Sequence, residues 1–240
     1  MAKSKLSWRA RTVRILRGIA IALVVLIAIP IALTPVYLVI NPISVPMLER
    51  YLTNRPVIRH WQDIDAVSDR LKAAVILSED GQFCRHWGVD MSALRDELDN
   101  FVHGRDSRGA STITMQVARN LFLTNARNPA RKLLEVPLAL YIDLVMSKRR
   151  IMEIYLNIAE WGPGGQFGIA AGTEAAFNAE PQSMAWGRSA LMAVTLPNPL
   201  LRLPAHPSSG MLRLARVIAD RAQQYGDRAG CVGTDGTLKL

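Results

Sequence analysis

Residues 74–90 read AVILSEDGQFCRHWGVD. An apolar run, Ala74 to Leu77, stops at Ser78, Glu79, Asp80 and Gly81, and is followed by Phe83, His86, Trp87 and a further acid, Asp90. Taken alone, the stretch is a helix end followed by a solvated turn, because Asp and Gly are ordinary stop and turn residues. The other reading is a buried helix that aims a carboxylate into a cleft. The flanking sequence decides between them.

Upstream, Val67, Leu71, Ala74 and Val75 recur at helical spacing, which predicts a helix from about residue 63 to Glu79. Downstream, Leu94, Leu98 and Phe101 mark a second helix, opened by Asp90 or Ser92 as cap. The segment HGRDSRGASTIT, residues 103–114, reads as a loop. Ser111 or Thr112 then caps a helix with Ile113, Val117 and Leu121 on its buried side. Further helices are expected over 130–147, 148–159, 169–178, 183–195 and 208–225, with a glycine loop at 160–168. No stretch alternates as a strand does. Residues 61–240 are therefore predicted to be a mainly α domain. Residues 41–60 read as an extended linker, since Pro42, Pro46 and Pro56 interrupt helix.

Residues 18–40 carry no charge. As a helix they would extend ~35 Å at ~1.5 Å per residue, against a hydrocarbon core of ~30 Å. The run is longer than the apolar part of a signal peptide and lacks a convincing cleavage site. It is read as one N-terminal transmembrane helix rather than a cleaved leader or a buried hairpin. Lys3, Lys5, Arg9, Arg11, Arg14 and Arg17 form a basic tail over residues 1–17, and Glu49 is the first charge after the span. That bias predicts a cytoplasmic N-terminus and an exported remainder. The tail holds six of the 29 Lys and Arg residues, which leaves 23 against 20 acids beyond it. So weak a net charge is no nucleic-acid footprint.

Cys84 and Cys231 are too few for a disulfide framework or a structural zinc site. They could pair in an oxidising compartment, although sequence alone cannot place them within reach. No HExxH, GxSxG or Walker pattern is present, and no metal site is expected.

On the helix after Thr112, Gln116, Arg119 and Asn120 fall at i, i+3 and i+4 and share a polar face. Arg127, Arg131 and Glu135 are each four apart, and the two later ones share a helix face after Pro129. One reading is a structural ion pair. The other is an anion site, in which two guanidiniums offer forked donors to phosphate oxygens and Glu135 orients them or a metal.

Four segments now stand in order: EDGQFCRHWGVD (79–90), RGASTITMQVARNLFL (108–123), RKLLE (131–135) and KRRIMEIYLN (148–157). Together they resemble the successive motifs of the peptidoglycan glycosyltransferases, the family that includes the transferase domains of bifunctional penicillin-binding proteins. The likeness covers roughly residues 60–200. A chain this short resembles a monofunctional member.

The resemblance implies a lysozyme-like, mainly α head with a small membrane-proximal jaw, and makes 61–240 the glycosyltransferase domain. It implies polymerisation of lipid II into β-1,4 glycan strands with release of undecaprenyl diphosphate. By motif position Glu79 matches the catalytic base and Glu135 the second essential acid. Arg119 and Arg127 match the residues that hold the diphosphate. Ser111, Thr112, Gln116, Asn120, Arg131 and Lys132 match positions with substrate or structural roles.

The implied partners are lipid II, the growing glycan strand and proteins of division or wall synthesis. The implied location is the inner membrane, with the catalytic domain periplasmic. Three positions depart from the pattern. Met115 precedes Gln116 where Gln-Gln is common, Leu134 stands where a basic residue is frequent, and Arg119 replaces the usual Lys. The first departure predicts one polar substrate contact fewer.

The chemistry suits these residue types. A sugar hydroxyl is a poor nucleophile at neutral pH, and a positioned carboxylate that takes its proton contributes ~10²–10⁴ in rate. A leaving diphosphate needs its charge met, by Arg donors or by magnesium or manganese, and no cofactor is otherwise required. One base and one anion site fit a single inverting displacement. Asp80 is read as orienting or structural. A glycan-cleaving lysozyme or lytic transglycosylase would need an acid for the leaving sugar but no Arg-rich diphosphate site. A non-catalytic membrane scaffold would tolerate loss of Glu79.

Overall fold

The structure is a computed structural model of the 240-residue chain. It describes residues 8–105, 109–124 and 129–240. The chain divides into two compact units, Met1–Val39 and Ile40–Leu240. In the first, α1 runs from Trp8 to Val36 and contains Pro30 and Pro35. Thr34 Oγ1 donates to the Pro30 carbonyl at 2.7 Å inside it. Among the described residues no helix is long and apolar enough to cross a membrane. The side chains of Ala22, Leu23 and Leu26 lie outside the described set. The expected anchor over 18–40 therefore rests on the sequence.

The second unit is mainly α, as expected. Its central helix is α3, Asp69–Glu79, which is buried on every side from Leu71 to Leu77. A helix apolar all round belongs inside a domain. The exception, Lys72, is neutralised by Asp69 at 2.5 Å and donates to the Ile64 carbonyl at 3.3 Å. Ser68 caps α3 by accepting from the Leu71 N–H. Instead of one helix from residue 63, a 3-10 turn at Ile64–Ala66 precedes this cap.

The remaining helices follow the expected order: α4 Met91–Val102, α5 Ile113–Phe122, α6 Pro129–Val145, α7 Lys148–Ile158, α8 Ile169–Phe177, α9 Trp186–Thr195 and α10 Ser209–Tyr225. α3 packs against α9 and α10, and α5 against α6 and α7. Of the two candidate caps for α4, Asp90 takes the role, its Oδ1 accepting from the Ala93 N–H at 3.0 Å. Thr112 caps α5.

Two expectations are corrected. Residues 41–60 are not a wholly extended linker, because α2 spans Val45–Leu52 behind a Ser44 cap. Pro46 falls in the first helical turn, where its missing N–H would lack an intrahelical partner anyway. The glycine loop also contains strands. β1 (Ile58–Arg59) pairs in parallel with β3 (Gln166–Phe167), and β3 pairs antiparallel with β2 (Glu160–Gly162). Strands of two or three residues show no alternation to read. Gly165, at φ +82°, is required there, since a Cβ would lie 2.1 Å from the Pro56 carbonyl oxygen. Arg50 ties α2 to this sheet through Glu160, 2.6 Å away.

Cys84 and Cys231 form a disulfide between residues 147 positions apart.

Candidate active site

Glu79 is the last residue of α3 and is half-buried. Its Oε2 accepts from Nε2 of Gln116 at 3.0 Å. Gln116 lies one turn into α5, and its Oε1 accepts from the hydroxyl of Tyr155 at 3.2 Å. Burial pushes the Glu79 carboxyl above its ordinary range, a shift moderated by the Gln116 hydrogen bond and by the positive charges of Arg119 and Arg202, and reinforced by Asp80.

Asp80 behaves differently from its neighbour. It is buried, faces Nε2 of His86 at 2.9 Å, and accepts the Ile113 N–H at 3.0 Å. It thereby joins the end of α3 to the start of α5, a structural tie. Thr112 adds a second tie: its Oγ1 donates to the Gly88 carbonyl at 2.5 Å and accepts from the Met115 N–H at 3.1 Å. Gly88, at φ +70°, lets the turn lie against α6, where a Cβ would come within 2.4 Å of the Ala139 carbonyl oxygen.

Glu135, on α6, is only 1 % exposed and is ion-paired with Arg131 one turn earlier. Arg119 lies within electrostatic reach of Glu135, Arg131, Tyr155 and Glu79, and burial lowers the pKa of its guanidinium. The Nε atoms of Arg119 and Arg131 are buried without a hydrogen-bond partner in the described structure. Donors of this kind normally find a partner. Two carboxylates thus flank a half-buried arginine that has donor capacity to spare.

The sequence-predicted residues are only partly gathered here. Glu79, Gln116, Arg119, Arg131 and Glu135 converge. Asn120 is buried on the same helix, and Ser111 is half-buried beside the cap. Lys132 sits apart, 3.9 Å from Glu97. Arg127 lies outside the described residues.

Met115 is not in the site at all: it is fully buried against Val89 and Ala139. Its departure from the Gln-Gln pattern therefore removes no contact on the Gln116 side of the helix. Leu134 is exposed at the surface of α6. Among the described residues, no group of three or more His, Cys, Asp or Glu is placed to hold a metal ion.

Two residues escaped the sequence reading. Tyr155, in the fourth motif segment, has no role assigned from the sequence; it is fully buried, and its hydroxyl reaches the site through Gln116. Arg202, whose Nη1 donates to the Val194 carbonyl at 2.9 Å, carries no motif. Asn157 is a buried clamp that donates to the Gln62 carbonyl and accepts from its N–H, each at 2.8 Å.

A comparison with known families matches residues 47–223 to the transglycosylase family. The chain belongs to that family. Its members are glycosyltransferases, and the chain is an enzyme of that class. Similar proteins include the biosynthetic peptidoglycan transglycosylases of Nitrobacter winogradskyi, 46% identical over 91% of this chain and 96% of the relative, and of Brucella suis, 48% identical over 90% and 99%. The protein of that name from Mesorhizobium japonicum is 48% identical over 90% of this chain and 92% of its own length.

Proposed function

We propose that this transglycosylase-family enzyme is a peptidoglycan glycosyltransferase that polymerises lipid II, and that Glu79 is its general base. The observation that carries the reading is a single cluster. Glu79 is oriented by Gln116, and the same site holds Arg119, half-buried, positively charged and with a buried, unpartnered Nε.

Glu79 takes the proton of the acceptor sugar hydroxyl as that oxygen attacks the anomeric carbon of the lipid-linked donor. Its raised pKa makes it a stronger proton acceptor than an exposed glutamate. The glycosidic bond to diphosphate breaks on the opposite face, inverting the α-linked donor to a β-1,4 link. Undecaprenyl diphosphate leaves with its charge met by Arg119 and Arg127. Glu135 holds Arg131 in place and keeps the local field balanced. Ser111 and Asn120 border the bound substrate, and Lys132, turned toward Glu97, takes no part in the steps above. Magnesium or manganese bound to the diphosphate would add positive charge at the same point, but every step above uses the chain's own residues.

The same reading places residues 18–40 across the inner membrane, with the N-terminus cytoplasmic and residues 41–240 outside. The uncharged run and the six basic residues before it support this. So does the outer face of α6, where Leu133, Pro137, Leu140 and Leu144 recur at helical spacing and are all exposed. An apolar stripe turned outward suits a lipid surface, where the substrate's polyprenyl tail resides. The Cys84–Cys231 disulfide fits an oxidising compartment.

The test is purified protein with labelled lipid II, followed by lysozyme digestion of the product. A high-molecular-weight product that lysozyme degrades is expected. Cleavage of preformed glycan, with no polymer from lipid II, would favour the lytic reading.

A further inference from the structure

The family match ends at residue 223, yet the segment beyond it is built back onto the helix that carries Glu79. Gly226–Val232 form a 3-10 turn in which Ala229 and Val232 are fully buried. Arg149 Nη1 donates to the Val232 carbonyl at 3.0 Å, and Thr234 Oγ1 donates to Asp65 at 3.2 Å. The Lys239 N–H donates to Asp69, the first residue of α3, at 2.6 Å. At the other end of α3, Arg221 Nη1 donates to the Leu77 carbonyl at 3.3 Å. Gly226 leaves room for Leu240, whose Cδ1 would lie 2.2 Å from a Cβ at that position.

The covalent link in this arrangement is Cys231 to Cys84. Cys84 sits in the turn between Asp80 and His86, which follows Glu79 directly. The backbone hydrogen bonds of that turn are local, from Phe83 N–H to the Asp80 carbonyl at 3.0 Å and from Arg85 N–H to the Gln82 carbonyl at 2.7 Å. With the Asp80 N–H bond to the Ile76 carbonyl at 2.8 Å they shape the turn and continue it from α3, but none reaches α5 or the C-terminal segment. Burial of Phe83, the contacts of Asp80 and the disulfide tie it to the rest of the domain.

We propose that residues 226–240 are a strap that holds the Asp80–His86 turn, and through it Glu79, in register with α5, with Cys84 and Cys231 as positioning residues. The proposal rests on the function proposed above. A cross-link closing so long a loop also stabilises a fold in general. The two roles differ in what they change. A purely stabilising bond alters melting and leaves the rate of folded protein alone. A positioning bond alters kcat at temperatures where the protein remains folded.

The experiment uses the full-length chain in detergent with labelled lipid II. Dithiothreitol passes two electrons and two protons to the disulfide, giving two cysteine thiols and its own cyclic disulfide. Reduction is expected to lower kcat tenfold or more while KM stays within about twofold. Far-UV circular dichroism at the assay temperature should be unchanged, and reoxidation should restore the rate. The Cys84→Ala/Cys231→Ala variant should start at the low rate and ignore the reductant.

Should that variant fail to fold, reduction of already folded wild type decides the matter. A lowered melting temperature with unchanged kcat, or a rate lost only in proportion to ellipticity, overturns the strap. No turnover by the oxidised protein removes the functional reading and the strap with it. Turnover indifferent to reduction removes the strap alone.

Discussion

Gln116 donates from Nε2 to Oε2 of Glu79 across 3.0 Å, from the first turns of α5 to the last residue of α3. The bond favours the ionised carboxylate, while burial opposes it and wins. The pH dependence follows. A general base works only when ionised, so the acidic limb of kcat/KM should lie above the ordinary glutamate range. Gln116→Leu removes a contact that holds the pKa down and should move the limb further up. Tyr155→Phe frees the far end of the same amide and should move it less, in the same direction. Rate profiles from pH 4 to 8 check both. A downward shift in either variant would contradict the assignment.

The same shift has a sign in stability. The folded state binds the Glu79 proton more tightly than the unfolded chain does, so stability falls as pH rises from the ordinary glutamate value through the raised one. Glu79→Gln should flatten that part of the stability curve, as measured by urea unfolding at pH 4, 5, 6 and 7.

Half-buried Arg131 pairs with fully buried Glu135, one turn apart on α6. Removing Arg131 leaves the buried Glu135 charge with only the neighbouring Arg119 to offset it, at a cost of up to about 3–5 kcal/mol. Arg131→Ala should therefore lose stability of that order in denaturant melts, and Glu135→Gln in the same background should recover part of it. Recovery of stability without recovery of turnover is expected, since Glu135 belongs to the proposed site.

Met115 fills the core against Val89 and Ala139. Restoring the common pattern with Met115→Gln would bury an amide with no described partner. The expected outcome is a loss of about 1–3 kcal/mol in stability and no gain in turnover. A faster enzyme of equal stability would show that the side chain reaches substrate.

The helices after residue 68 were legible because each carries its own signal, such as the Asp90 and Thr112 caps and the apolar spacing of α5. The strands were not, because all three are too short for a pattern and β1 is held only by pairing with β3 more than a hundred residues away. Pro46 was misread as a break because its effect depends on where in the helix it falls.

In the site, Glu79 stood out as a carboxylate at the end of an apolar run, and Gln116 and Arg119 as a polar face on a helix. Tyr155 and Arg202 did not, because only tertiary packing brings α7 and the segment after α9 to Glu79. Met115 and Gln116 are adjacent in sequence, but a helix turns them toward core and cleft respectively.

The central claim is that Glu79 accepts the proton during glycan polymerisation. Glu79→Gln keeps size and polarity, and its amide cannot take up that proton. Steady-state turnover of labelled lipid II by this variant, measured beside wild type with the fold checked by circular dichroism, tests the claim most directly. The account predicts a folded protein with turnover reduced by ~10²-fold or more. A folded variant retaining more than about a tenth of wild-type turnover would contradict it.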